Sequence, residues 1–202
     1  SYHYIKGTEQ QSIGERGNKK SVQLLAEENG YSPNYSAKGL KLSKSFTIGL
    51  FFSTLDAMTT NSFLYETIQG VRALLPKGFK FTVEGISELE GGFDQIRPDH
   101  YDGILVISQM YQDEAFIELI QSRGIPMVVM NRHIESLDIV SVAFNDDKGI
   151  EDAVDHLVSL QHQTIAFISG KAGFVNSVRR LEGYKKGLQS NHLKFQPSLM
   201  VE

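Results

Sequence analysis

Short apolar runs alternate with amphipathic segments along residues 46–191, and this alternation constrains the fold more than any other feature of the chain. The apolar runs are rich in β-branched and aromatic residues, as buried strands are. The segments between them repeat apolar residues at helical spacing. The pattern predicts strands at 46–53, 79–86, 101–108, 125–131, 139–145 and 164–170, and helices at 61–75, 113–124, 149–161 and 177–191. Strands separated by helices predict an α/β fold with mostly parallel sheets covered on both faces.

Sheets of this kind bind ligands in the crevice beyond the carboxyl ends of their strands. The loops that follow the predicted strands are therefore the places to search for a site. They are polar and contain no glycine-rich phosphate cradle; they span residues 53–62, 108–113, 131–135, 145–148 and 170–177.

Motifs for catalysis, metals and nucleotides do not fit the sequence. The stretch GISELEGG lacks the G-x-G-x-x-G spacing, and FISGKAG lacks a G-x-S-x-G elbow. His156 and His162 are six residues apart, whereas a helical metal pair needs a spacing of four. Asp146 and Asp147 could form a carboxylate pair, but a helix N-cap explains them better. We expect no catalytic residues, no metal, no cofactor and no enzyme activity.

The composition is that of a globular protein, with 41% hydrophobic and 22% charged residues among 202. There is no cysteine, which is compatible with a reducing compartment. No signal peptide or apolar run of membrane-spanning length is evident. We therefore expect a cytoplasmic protein with no membrane partner.

Charge is distributed unevenly along the chain. Residues 1–45 carry seven lysines and arginines against four acids, whereas the whole chain has a net charge of −4. Residues 18–29 have helical periodicity, and residues 34–40 could open a short second helix capped by Asn34. Gly39 weakens that second helix, so we expect it to form only when something holds it. A basic, acid-free segment over 38–44 favours a polyanionic partner, although chance asymmetry in a short window would look the same.

The junction SVQLLAEENGYSPNYSAKGLKLSKSFTIGLFF closely resembles that of lactose-repressor-type (LacI/GalR) bacterial transcription regulators. There, a last headpiece helix ends in G-Y-x-P-N, a hinge reads x-x-A-R-x-L, and a Lys/Ser tether leads to a strand ending in I-G. The blocks YDGILVIS, IPMVVMNR, FNDDKGIEDAVDHL and RRLEGYKKGL resemble later family blocks, so that the likeness runs from about residue 15 to 190.

The resemblance implies operator DNA as a partner. In the family, the hinge helix folds on DNA and lies in the minor groove, where leucines from two subunits wedge a base step open. By position Leu40 is the wedge, and Lys38 replaces the usual arginine, keeping the charge but losing the planar fork. The implied DNA-binding residues are Tyr31, Asn34, Ala37, Lys38, Leu40 and Lys41.

The resemblance also implies a small-molecule effector, a sugar or sugar phosphate, bound between two subdomains. Asn131 stands where many members have aspartate, and Arg180 matches an arginine that commonly contacts the effector. Phe63 and Leu64 match apolar contacts after the first strand. With the polar residues at neighbouring strand ends, the implied effector-binding residues are Ser53, Phe63, Leu64, Asn131, Arg132 and Arg180.

The implied fold is periplasmic-binding-protein-like, preceded by the remnant of a helix-turn-helix headpiece. We expect a partial headpiece over 1–33, a hinge helix and linker over 34–45, an effector-binding N-subdomain over 46–145 and a partial C-subdomain over 146–202. The headpiece start and the later C-subdomain strands are missing, so we expect a truncated homodimeric repressor. A sugar-binding module without a DNA role is the main alternative, and a small α/β enzyme is a weaker one.

Overall fold

The computed structural model describes Leu25 and residues 44–201, apart from 56–60, 90–91 and 135–136. The chain separates into two units, Ser1–Ser43 and Lys44–Glu202. Apart from Leu25, which is helical, the predicted headpiece helix lies outside the described residues, as do the predicted hinge helix and all six residues expected to bind DNA. The account below concerns the second unit.

A five-stranded parallel sheet forms the first part of this unit. Its strands are β1 (Thr47–Phe52), β2 (Lys80–Gly85), β3 (Gly103–Ile107), β4 (Met127–Met130) and β5 (Val140–Val142), in the order β2-β1-β3-β4-β5. Strand β1 lies between β2 and β3, since Gly49 is aligned with Thr82 of β2 on one side and with Ile104 of β3 on the other. The predicted parallel sheet is confirmed.

Two helices cover opposite faces of this sheet. Successive side chains of a strand point to opposite faces, so Phe51 faces one side of β1 while Leu50 and Phe52 face the other. Helix α2 (Asp113–Ser122) packs Phe116, Ile117 and Ile120 on the Phe51 side, and helix α1 (Asn61–Leu74) packs Phe63, Leu64 and Ile68 on the other. Burial of each large apolar side chain stabilises the fold by about 1.5–3 kcal/mol.

The second part of the unit contains two packed helices and a short parallel pair of strands. Its elements are α3 (Asp146–Ser159), β6 (Phe167–Ile168), α4 (Val175–Ser190), a 3-10 turn (Pro197–Leu199) and β7 (Met200–Val201). The two helices approach closely because α4 carries Gly183 and Gly187 at the contact. A Cβ at Gly183 would collide with the carbonyl of Asp147, and one at Gly187 would lie 2.8 Å from the Cβ of Val154.

Two local predictions are wrong, and one short strand was not predicted. Helix α3 begins at Asp146 rather than at residue 149, so Asp146 and Asp147 lie in its first turn and Asn145 takes the N-cap position. Acidic side chains are favourable in a first turn, because the helix dipole is positive there. The strand expected over 164–170 contains only Phe167–Ile168, and β7 was not predicted. Both strands are two residues long, too short for a periodic signal.

Candidate functional site

Polar residues collect where neighbouring strands of the five-stranded sheet end. Ser53 and Thr54 follow β1, Glu88 lies shortly after β2, Ser108 follows β3 and Asn131 follows β4. Because all these strands are parallel, their carboxyl ends form one edge of the sheet. This edge is where an open α/β sheet binds its ligand.

A buried hydrogen-bond network around Asp113 organises this edge. Asp113 is the first residue of α2, and its Oδ2 accepts hydrogen bonds from the hydroxyl of Ser53 at 2.5 Å and the hydroxyl of Ser108 at 2.9 Å. The same oxygen accepts the backbone N–H groups of Gln109 at 3.1 Å and Met110 at 3.0 Å. The Ser53 Oγ also accepts the Gln109 N–H at 2.7 Å. The network therefore fixes the loop that follows β3.

That loop connects the sheet to the second part of the unit. Met110 forms an antiparallel bridge with Phe174, and the N–H of Val175 donates to the carbonyl of Gln109 at 3.0 Å. Phe174 and Val175 begin helix α4. The end of β3 and the start of α4 thus meet at residues 109–110, which we call the junction.

Arg132 supports the junction from the end of β4. Its side chain is only 6% exposed, and its Nη2 donates to Glu114 at 2.5 Å while its Nη1 donates to the carbonyl of Met110 at 3.2 Å. The guanidinium also lies over the ring of Tyr111, at 5.2 Å from the ring centroid. Arg132 is therefore occupied with protein groups. Its geometry favours a role in holding the junction.

Asn131 has an unusual backbone conformation. Its φ is +66°, in the left-handed region that L-residues seldom adopt, and its N–H donates to the carbonyl of Val142 at 2.8 Å. Asparagine tolerates this region better than most residues do. The turn directs the chain away from β4 at the edge where the other polar residues collect.

Phe63 and Leu64 lie near the start of α1 and are half-buried. Both pack against Leu50, Phe52 and Ile107, and the ring of Phe63 is edge-to-face with that of Phe52 at 6.3 Å. They therefore belong to the apolar cluster beneath the carboxyl end of β1.

Arg180 lines a recess of about 290 Å³ at the start of α4, together with Lys171, Phe174, Asn176 and Ser177. Its Nε donates to Asp146 at 2.7 Å, although the arginine side chain remains 51% exposed. The described structure thus places Ser53 and Arg132 at the junction. Arg180 lies in a recess that is also lined by Phe174, the residue paired with Met110 of the junction.

Two buried polar atoms of residues at or next to the junction contacts, Gln109 Oε1 and Asn176 Oδ1, have no hydrogen-bond partner among the described residues. The same holds for Asp147 Oδ1, in the first turn of α3. A buried polar atom without a partner is unfavourable, so such atoms mark places where a ligand group or a water molecule can bind. Carbonyl and carboxylate oxygens accept hydrogen bonds, so their partners are N–H or O–H donors.

Glu88 is a site residue that the sequence did not indicate. Its carboxylate accepts the Thr54 hydroxyl at 2.6 Å, the Ser87 hydroxyl at 2.9 Å and, at 3.3 Å, the N–H of Leu55. Desolvation is the largest single influence and raises the pKa of Glu88, but these hydrogen bonds together outweigh it and lower the pKa. Asp113 and Gln109 were also missed, since their partners are distant in the sequence.

Metal and membrane features are not found in the described part of the chain. Its histidines, aspartates and glutamates form no group of three or more arranged to hold a metal ion. None of its helices is both long enough and apolar enough to cross a membrane.

No protein-family model matches the chain. It is 39% identical over 184 residues to the probable HTH-type transcriptional repressor ExuR of Bacillus subtilis (strain 168), a match that covers 91% of this chain and 55% of the repressor. A sugar-binding transcriptional regulator of the LacI family from Escherichia coli, solved in complex with phosphate, has the same fold. Its TM-score is 0.63 at 21% identity, over 78% of this chain and 58% of that one. The chain is thus similar in sequence to an HTH-type transcriptional repressor and in fold to a LacI-family regulator.

A second solved structure of this fold, the transcriptional regulator CelR in complex with cellobiose, matches over more of the chain. It is 25% identical with a TM-score of 0.62, over 92% of this chain and 56% of that one. These matches confirm the predicted resemblance to LacI-type regulators and the predicted periplasmic-binding-protein-like fold. All three proteins are regulators by name, which agrees with the expectation that the chain is not an enzyme. The chain spans 55% to 58% of the length of the first curated relatives that it matches.

Proposed function

We propose that the protein is a cytoplasmic transcriptional repressor whose affinity for operator DNA is controlled by a small-molecule effector. The effector binds at the carboxyl edge of the five-stranded sheet, against the start of α4. Residues 46–145 and 146–202 supply the two walls of this site, and residues 1–45 supply the DNA contacts. The protein acts as a homodimer on a two-fold symmetric operator.

The observation that carries the effector site is the junction itself. It joins the sheet edge to α4 through the Met110–Phe174 bridge, and beside it acceptor atoms of Gln109 and Asn176 have no hydrogen-bond partner in the described part of the chain. Acceptors on both sides of a crevice suit a ligand that carries several hydroxyl groups. The proposed effector is therefore a sugar or a sugar phosphate, and cellobiose in the CelR complex is a precedent in the same fold.

The predicted effector residues divide into two groups by their surroundings. Asn131 follows β4 at the carboxyl edge of the sheet, and the Arg180 side chain is accessible despite its contact with Asp146. Ser53 and Arg132 are buried and bonded to the protein. We propose that the first pair contacts the effector and that the second pair holds the loop against which it binds.

The apolar residues complete the proposed site. Phe63 and Leu64 close the end of β1, and Phe174 presents an aromatic ring in the recess near Arg180. Ligand sites of this kind are largely apolar, with a few polar groups that fix the orientation of the ligand.

The DNA contacts of the proposal rest on the sequence resemblance. Leu40 is the wedge in the minor groove, Lys38 and Lys41 approach phosphates, Tyr31 and Asn34 contact the backbone, and Ala37 lies in the hinge. Effector and DNA affinities are then coupled reciprocally, because the effector favours one arrangement of the two walls.

A titration of duplex DNA at increasing salt separates this function from a sugar-binding module of the same fold. We expect the intact protein to bind a palindromic operator, and log Kobs to fall linearly with log salt. A protein that binds sugars in a thermal-shift screen but binds no duplex at low salt would favour the module instead.

A further inference from the structure

The carboxylate of Asp102 binds two consecutive backbone N–H groups at the point where the chain enters β1. Oδ1 accepts the N–H of Ser45 at 3.0 Å, and Oδ2 accepts the N–H of Phe46 at 2.8 Å. The backbone N–H of Asp102 in turn donates to the carbonyl of Thr47 at 2.9 Å. Hydrogen bonds to an ionised acceptor are stronger than neutral ones. These contacts form what we call the Asp102 clamp.

Phe46 is held in a conformation that it would not adopt alone. Its φ is +51°, in the left-handed region, which is strained for an aromatic residue. Its carbonyl accepts the N–H of Lys80 at 2.6 Å, and its buried ring is edge-to-face with that of Phe79 at 5.4 Å. Strained backbone of this kind persists only where its surroundings fix it. Residues 45–46 are therefore a fixed bend.

The clamp lies at the amino edge of the sheet. Phe46 directly precedes β1 and Asp102 directly precedes β3, the neighbouring parallel strand. The candidate effector site lies at the opposite, carboxyl edge. Strand β1 is thus bound at its amino end by Asp102 and followed at its carboxyl end by Ser53, which contacts Asp113.

We propose that Asp102 is a positioning residue for DNA binding. By fixing residues 45–46, it limits the directions that the chain can take at Lys44, the residue before the bend. This role rests on the proposed function. A free joint at this point would let the hinge segment sample many directions, and each DNA-binding event would have to restrict them. Fixing the direction in advance raises affinity by reducing that loss of entropy.

The test is Asp102→Asn in the intact protein, with Asp99→Asn as a matched control. Asn is isosteric with Asp, but its amide nitrogen cannot accept the second N–H and its charge is lost. Asp99 is exposed on the same loop, and its carboxylate accepts hydrogen bonds from the Arg97 side chain. Three quantities are measured: amide hydrogen exchange at Ser45 and Phe46, operator affinity, and the thermal shift caused by the effector.

For Asp102→Asn we expect exchange at both amides to be faster by about tenfold or more. Operator affinity should fall by about tenfold, while the effector-induced thermal shift stays at the wild-type value. Asp99→Asn should change none of the three. If Asp102 only stabilised the fold, Asp102→Asn would lower the unfolding midpoint, and operator affinity and the effector-induced thermal shift would change together.

Two results would overturn the role of Asp102. Unchanged exchange at Ser45 and Phe46 would show that the clamp does not hold these amides. Faster exchange with unchanged operator affinity would show that the clamp does not position the hinge. A wild-type protein that binds no duplex DNA would instead overturn the proposed function, and the exchange measurement would still report on the clamp.

Discussion

The hydroxyl of Ser53 donates a 2.5 Å hydrogen bond to Oδ2 of Asp113, and both side chains are only 2% exposed. The bond joins the end of β1 to the start of α2 across 60 residues of sequence. The same carboxylate oxygen holds the N–H groups of Gln109 and Met110, the residues that contact α4. One buried acid thus organises the loop between the sheet and the candidate recess.

Asp113→Asn should lower the free energy of unfolding by about 1.5–3 kcal/mol, because hydrogen bonds to a charged acceptor are replaced by neutral ones in a buried site. Urea denaturation measures this change. Glu118→Gln, at an exposed position of the same helix, should change stability by less than about 0.5 kcal/mol. Equal midpoints for wild type and Asp113→Asn would contradict the role given to the network.

Two substitutions at Asn131 separate its backbone from its side chain. Asn131→Gly suits the positive φ and should leave stability within about 0.5 kcal/mol of wild type, whereas Asn131→Ala should lose about 1 kcal/mol from strain. Both variants should bind the effector about tenfold more weakly, since each lacks the amide. Calorimetric titration measures the affinity. Wild-type affinity in Asn131→Gly would remove Asn131 from the effector site.

Glu88 should make stability depend on pH in the acidic range. Its pKa in the folded protein is lowered below the usual 4.5, so the ionised form favours folding. This contribution is fully present above the unfolded pKa and is lost as the pH falls through the folded one. The difference in unfolding midpoint between wild type and Glu88→Gln should therefore shrink as the pH falls below the usual pKa of 4.5. A difference that is constant over this range would contradict the assignment.

Arg180→Ala should weaken effector binding by about tenfold or more, because a charged donor to the ligand is lost. The unfolding free energy should fall by less than about 1 kcal/mol, since the ion pair with Asp146 is half-exposed on the arginine side. Arg97→Ala removes another exposed, ion-paired arginine and is the matched control. Loss of affinity in both variants would point to a general charge effect rather than to a contact.

The sequence predicts those parts of the fold that depend on local periodicity. The strands around Leu50, Val106 and Val129 follow from their apolar runs, and the ends of these runs correctly placed Ser53 and Asn131 at strand ends. The role of Asp113 could not be predicted, because an acidic residue at the start of a helix has the same sequence pattern whether its side chain faces solvent or Ser53. The positive φ of Asn131 and the two-residue pairing of β6 with β7 are likewise set by tertiary contacts.

The clearest test of the central claim is the operator affinity of the intact protein and of Leu40→Ala, each measured with and without effector. We expect wild type to bind a two-fold symmetric operator with an affinity that changes by about 5- to 150-fold on effector addition. Leu40→Ala should bind operator more weakly by about tenfold or more, because the wedge that stabilises the bent duplex is lost, and should bind the effector normally. Equal operator affinity of the two proteins, or a wild-type affinity indifferent to every effector that binds, would contradict the claim.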